Sequence, residues 1–308
     1  MKKKSVTAIL LIVLQSVLYG LGDPVSKAAF ETVPLFKMLT LRYSIALAVM
    51  MLIWGRRIIE GVKRTSWRNW IVPVLCMGGA YVSNNVGLLL TQATTVAFIR
   101  SLPTIIAPVL AFIVFRRRNN KVLIPIQLAV VAGLYMLCCG RGGLGHGFGW
   151  GEFFALLSAV LLAASLVYAE KSLNEAKSAD PSARDAATQP EAAVDPITLT
   201  ALQTAASAAM AFIGMIFVGE QQTEPMTIKV WAIIFYLAIM CTIAGYLLQN
   251  IALKSIQSHT VAVVQCLCPV MTAVFSLFIL GERMSAFGIC GAAIILVSLV
   301  AAVLVDRE

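Results

Sequence analysis

Ten apolar stretches, each about long enough to cross a bilayer, occupy nearly the whole of this 308-residue chain. A hydrocarbon core of about 30 Å needs about 20 helical residues, and a helix satisfies every backbone polar group within its own segment. Composition agrees. Hydrophobic residues make up 59% and charged residues 13%, where a soluble domain is about half apolar and about a quarter charged. The sequence therefore specifies an all-α integral membrane protein rather than a domain folded around one buried core. Its function should reside in the few polar groups placed within the membrane.

Apolar runs between polar breaks predict helices over Thr7–Phe30, Pro34–Trp54, Trp70–Leu90, Thr94–Phe115, Val122–Cys139, Trp150–Ala169, Pro196–Val218, Val230–Leu253, Thr260–Leu280 and Ala286–Val305. The five tryptophans (Trp54, Trp67, Trp70, Trp150 and Trp231) all fall at span ends or in adjacent loops, where an amphipathic ring prefers the lipid–water interface. The net charge of +9 is distributed unevenly. Lys2–Lys4 precede the first span, Arg56, Arg57, Lys63, Arg64 and Arg68 follow the second, and Arg116–Arg118 with Lys121 follow the fourth. With an even number of helices all these clusters share one side, and the positive-inside bias makes that side, and both termini, cytoplasmic. The basic charge is thus topological and does not call for a nucleic-acid partner.

A lysine-rich start before an apolar run resembles a secretory signal, but no small-x-small cleavage site follows it cleanly, so the segment is expected to stay as the first helix. All seven cysteines fall within predicted spans. Buried thiols of this kind act as small hydrophobes, and Cys266-x-Cys268 has neither an adjacent histidine nor a second cysteine pair, so no metal site and no cofactor are expected.

The chain contains itself twice. Gly79, Asn84, Thr94, Pro103, Ala107, Phe112 and Ile113 recur, at one ungapped offset, as Gly245, Asn250, Thr260, Pro269, Ala273, Phe278 and Ile279. Each unit holds five helices, and an odd number forces the second to sit upside down relative to the first. The expected units are residues 1–145 and 146–308, meeting in the glycine-rich stretch Gly140–Gly149. That stretch lacks the Gly-Lys-Ser/Thr ending of a phosphate loop. A second polar segment, residues 171–195, has a composition suited to disorder and is expected to be a cytoplasmic loop. Inverted repeats characterise many secondary carriers, whose substrate site lies near the midplane between the repeats.

These features resemble the drug/metabolite transporter superfamily, and the chain is similar to its ten-helix EamA-type carriers. The resemblance rests on Pro34 and Leu41-Arg42-Tyr43 in the second helix, on Leu280-Gly281-Glu282-Arg283 after the ninth, and on Gly291 in the tenth. The first unit departs from the pattern, reading Phe115-Arg116-Arg117 where the second has Gly281-Glu282-Arg283. The resemblance implies a monomeric cage of paired helices around a central cavity, working by alternating access.

Ionisable side chains at depth are costly and are functional candidates. Arg42 lies about 12 Å and Arg100 about 9 Å into their helices by helical rise, both from the predicted external face, and Asp23 sits at comparable depth. An Asp–Arg pair would offset the cost of burying either charge. Arg42 could pair with Asp23 or with backbone carbonyls, and Arg100 could snorkel to the interface. Arg100 is also a candidate substrate contact, since its repeat counterpart is the uncharged Cys266 and guanidinium binds carboxylate or phosphate through paired hydrogen bonds. Asn84, Asn250, Gln203 and Gln265 could line the same cavity or bond between helices.

Gly20-Leu21-Gly22-Asp23 looks like the Gly-x-Gly-Asp of intramembrane aspartyl proteases, but that chemistry needs two aspartates sharing a proton. Every other aspartate lies in a loop or tail, and no His-Glu-x-x-His occurs. An enzyme is not expected. The two glycines should permit close helix contact and, with Pro24, a local break. The reading that results is a secondary carrier of a small polar metabolite, an amino acid or organic anion, with export as the direction the resemblance implies. Efflux of hydrophobic cationic drugs and a channel-like facilitator are the alternatives. A proton or a counter-substrate would supply the coupling; for a proton, Asp23 is the available acid.

Overall fold

The computed structural model describes residues 2–91, 96–97, 99–115, 123–139, 149–178, 193–220, 226–279 and 285–305. The helices follow the apolar runs: α1 (Lys2–Phe30), α2 (Leu35–Arg64), α3 (Trp67–Leu90), α4 (Pro103–Phe115), α5 (Leu123–Cys139), α6 (Trp150–Ser178), α7 (Pro196–Val218), α8 (Ile228–Leu253), α9 (Ser258–Ile279) and α10 (Ala286–Val305). Seven of them (α1, α2, α3, α6, α7, α8 and α9) are long and apolar enough to cross a bilayer, and α4, α5 and α10 contribute shorter apolar helices. No strand occurs among the described residues. The protein is a multi-pass membrane protein built entirely from helices.

Two expected spans are broken where the sequence reading made them continuous. The fourth does not run unbroken from Thr94 to Phe115: the backbone turns over residues 100–102 and α4 begins at Pro103. The ninth turns at Cys266, which separates Ser258–Gln265 from Leu267–Ile279. The cause is the same in both. Proline lacks the N–H that would bond the carbonyl four residues back, and it disfavours helical geometry just before it. Pro103 directly follows the turn over residues 100–102 and Pro269 stands three residues after Cys266, so the repeat carries a repeated fault. A third irregularity is a π-helical stretch over Leu237–Ala244 within α8. Three further expectations are corrected. α1 continues through Pro24 without a break. α2 runs beyond Trp54 to Arg64, with a kink at Trp54 (φ −123°, ψ 17°) where the span was expected to end. α6 extends to Ser178, so the segment expected as a loop from residue 171 begins as helix. The boundary at 145/146 and the Leu280–Arg283 motif lie outside the described residues.

Helix pairing reproduces the repeat. Counting five helices per unit makes α1 equivalent to α6, α2 to α7, α3 to α8, α4 to α9 and α5 to α10. α2 packs on α7 and α5 on α10, each against its own equivalent, while α3 packs on α6 as α8 does on α1, and α1 on α9 as α6 does on α4. Among the described residues each substantial pairing between the units recurs with the roles exchanged, as a pseudo-two-fold axis requires. The α2–α7 pair is tied at both ends and antiparallel. Asp195, before α7, accepts hydrogen bonds from Arg57 (2.9 and 3.2 Å) and also caps α7 through the Ile197 amide at 3.2 Å. Glu220, after α7, accepts from the amides of Phe36 (3.1 Å) and Lys37 (2.9 Å) at the start of α2. Pro34 offers no side-chain cap there, so a carboxylate from the other unit satisfies those orphan donors.

Polarity is distributed as lipid demands. Leu52, Phe217, Ile228 and Phe278 are exposed on the outside, while Gln15, Arg42, Asn84, Gln203, Gln249 and Asn250 are buried. The glycines of α1 allow the close contact expected of them: a Cβ at Gly22 would come within 2.7 Å of Cys241 Sγ, and one at Gly20 would collide with Met271.

Candidate functional site

Two cavities lie one above the other along α1, one on the Ser16 side of Asp23 and one on the Ser26 side. They enclose about 460 and 280 Å³ of space, their open sides included. Four residues line both: Tyr19, Asp23, Tyr81 and Arg100. The partition between the cavities is therefore an ion pair framed by aromatic rings.

Arg100 sits at the start of the turn that breaks the fourth span, its amide still bonded to the Val96 carbonyl at 2.8 Å, and its side chain reaches Asp23 on α1. Its Nη1 lies 3.1 Å from both carboxylate oxygens of Asp23, and the Thr272 hydroxyl approaches Asp23 Oδ2 at 3.5 Å. The two side chains keep 12% and 20% of their exposure, so the pair is mostly dehydrated. The guanidinium also lies over the rings of Tyr19 (5.3 Å) and Tyr81 (5.8 Å), whose faces attract a cation. Tyr81 in turn packs against Tyr246, with ring centroids 5.0 Å apart and the planes tilted by 48°. Gly245 makes room for this arrangement, because a Cβ there would stand 2.5 Å from the Tyr19 ring.

Arg42 opens on the second cavity with different partners. Its Nε donates to the Thr242 hydroxyl at 2.8 Å, and that hydroxyl donates to the Leu237 carbonyl five residues back at 3.1 Å. The π-helical turn thus offers a hydroxyl to the arginine. Arg42 is 4% exposed, and among the described residues no carboxylate lies within ion-pair distance of it. Asp23 pairs with Arg100 instead of Arg42, and Arg100 reaches into the cavity rather than out to the interface.

The remaining expected residues divide. Asn84 lines the second cavity, and its buried Oδ1 has no hydrogen-bond partner among the described residues. Gln265 lines the first, and its Nε2 donates to Gln15 Oε1 (3.1 Å) and Gln249 Oε1 (2.8 Å). Asn250 lines neither cavity; it is fully buried and donates to Thr200 (3.0 Å) and Gln203 (2.8 Å), joining α8 to α7. The sequence reading missed Tyr19, Tyr81, Tyr246, Gln15, Gln249 and Thr242. Spacing holds a signal for two of them, since Tyr19 and Tyr81 stand four and three residues before Asp23 and Asn84, on the same helix faces. The two broken spans also touch: the Thr104 hydroxyl donates to the Ala262 carbonyl at 3.2 Å and lies 2.8 Å from Cys266 Sγ. Chemically, the site is two guanidinium groups, one carboxylate and a set of amides and phenols. It suits reversible binding of a polar anion.

Residues 6–139 and 187–304 match the sequence model of the EamA-like transporter family, one block in each unit. No curated protein matches the sequence. Among solved structures, one titled only as the crystal structure of a protein is similar over 96% of this chain and 96% of its own, with a TM-score of 0.74 and 19% identity. That likeness is one of fold.

Proposed function

Because this chain belongs to the EamA-like transporter family, we propose that its stacked cavities hold the substrate of a secondary carrier for a small polar metabolite with an anionic group, an amino acid or organic anion. One observation carries the reading: Arg42 faces the second cavity with no carboxylate partner among the described residues. A guanidinium in a dehydrated site binds carboxylate or phosphate through paired hydrogen bonds. Arg100 and Asn84 would complete the contacts, with Gln265 in the adjoining cavity. Asp23 serves as the internal counter-ion of Arg100. Asn250 falls outside this set as a helix-to-helix contact.

Alternating access follows from the repeat, because two equivalent units can rock about a site shared between them. The broken fourth and ninth spans, touching through Thr104 and Cys266, supply the hinge. We place the protein in the cytoplasmic membrane as a monomer, with both termini cytoplasmic, the repeats meeting within residues 140–149, and export as its direction. Efflux of hydrophobic cations would need an acid free to meet the cation, and the one acid lining the cavities among the described residues is already paired.

Counterflow in proteoliposomes tests the reading. Saturable uptake of a labelled metabolite, driven by the same unlabelled metabolite inside, is the expected result. Single-channel conductance without counterflow would replace carrier with channel.

A further inference from the structure

The charges lining the two cavities do not cancel. Among the described residues they are Asp23, Arg42 and Arg100, and every other described residue lining either cavity is neutral. Of the acids elsewhere among the described residues, Glu152 bonds Thr91, Glu170 the Ser258 amide, Asp195 Arg57, Glu60 Arg64 and Glu220 the start of α2, and neither these nor Glu31 is among the residues lining the cavities. Residues 92–95 and 98, close in sequence to Arg100, are Gln, Ala, Thr, Thr and Phe and add no charge. The site thus carries one positive charge more than it neutralises, and that charge is on Arg42.

Arginine is the one ionisable side chain that cannot escape by losing a proton, since its guanidinium stays protonated even when buried. An occluded, dehydrated cavity holding an uncompensated charge costs several kcal/mol. The same cavity holding one monoanion is neutral.

We infer that the site selects substrates of net charge −1 and that the carrier crosses between its two faces only when loaded, which makes it an exchanger of monoanions. This rests on the carrier reading above. Arg42 sets both properties: it supplies the charge the substrate must match, and it penalises the return of the empty form. A proton is not needed as a coupling ion, because the substrate's own charge balances the site.

The experiment uses purified protein in proteoliposomes in chloride-free buffer, so that no small inorganic monoanion takes the substrate's place. The probes are pairs of similar shape and different charge: L-glutamate with L-glutamine, L-aspartate with L-asparagine, and lactate with lactamide, with malate as a dianion. The monoanion of a pair should be carried at least about tenfold faster than its partner. Its efflux should be at least about tenfold faster with unlabelled monoanion outside than into empty buffer. In Arg42→Gln the empty cavity is neutral, so the dependence on external monoanion should fall towards onefold and the uncharged member should gain. Arg42→Lys, which keeps the charge, should keep the dependence and guards against a misfolded glutamine variant. Equal transport of both members, or net efflux as fast as exchange in the parent protein, overturns the inference while leaving the carrier reading intact. Transport of none of the probes by folded protein counts against both.

Discussion

Asp23 and Arg100 lie 77 positions apart in the chain, yet Arg100 Nη1 sits 3.1 Å from each of the Asp23 carboxylate oxygens, between two cavities and beneath two tyrosine rings. Each charge makes the other tolerable at that depth. Asp23→Asn or Arg100→Gln should therefore lower the melting temperature of the detergent-solubilised protein. Breaking a buried pair costs about 3–5 kcal/mol, and the remaining side-chain exposure of 12% and 20% puts this pair at the low end. The double variant Asp23→Asn/Arg100→Gln leaves no orphan charge and should regain most of the loss. Strictly additive effects would mean the two side chains are not coupled.

Gly245 and Tyr19 make a second, steric prediction. Gly245→Ala would put a methyl group 2.5 Å from the tyrosine ring, and overpacking of this kind costs about 1–3 kcal/mol. The ring would have to leave its place over Arg100. Adding Tyr19→Ala should recover stability without recovering transport, as measured by melting and by counterflow. A Gly245→Ala protein with normal melting and normal transport would show that the ring has room to spare.

At the start of α2, Glu220 should behave as a cap and nothing more. Glu220→Ala removes an acceptor shared by two amides and should cost about 1 kcal/mol, read as a modest drop in melting temperature. The substrate concentration giving half-maximal transport should stay unchanged. A large change in it would connect this end of the α2–α7 pair to the site.

Orientation can be measured directly. The Lys/Arg asymmetry of the loops predicts a cytoplasmic location for residues 171–195. A cysteine placed at Ser182 in a cysteine-free background should react with a permeant reagent and resist an impermeant one applied from outside. Labelling by the impermeant reagent would invert the arrangement.

Much of this architecture was legible in the sequence because hydropathy and repeat spacing report the two properties a bilayer enforces, length and polarity. The offset that carries Asn84 onto Asn250 and Pro103 onto Pro269 announced the pairing of units. It could not show that Pro103 and Pro269 break their spans, because a turn inside an apolar run leaves the hydropathy unchanged. The π-helical stretch over Leu237–Ala244 is hidden for the same reason. Depth brought Asp23, Arg42 and Arg100 to one level, but depth along a helix says nothing of direction around it. The choice of Arg100 over Arg42 as the partner of Asp23 depends on which of the two side chains faces α1 at that level, and it is Arg100 that does. Asn84 and Asn250 are equivalent in the repeat, yet one lines a cavity and the other bonds Thr200 and Gln203, since the charged residues around them are not repeated.

The most direct measurement of the central claim is a melting-shift titration of the purified protein against small anions, in the parent and in Arg42→Gln. A ligand that binds only the folded protein raises its melting temperature, by an amount set by its concentration relative to Kd. At least one small carboxylate should stabilise the parent protein in a saturable way, and Arg42→Gln should lose that shift while remaining folded. Arg42→Lys should regain only part of it, because an ammonium lacks the paired donors of a guanidinium. An anion that stabilises the parent and Arg42→Gln to the same extent at the same concentrations would contradict the account, because Arg42 would then be a structural residue and the substrate would sit elsewhere.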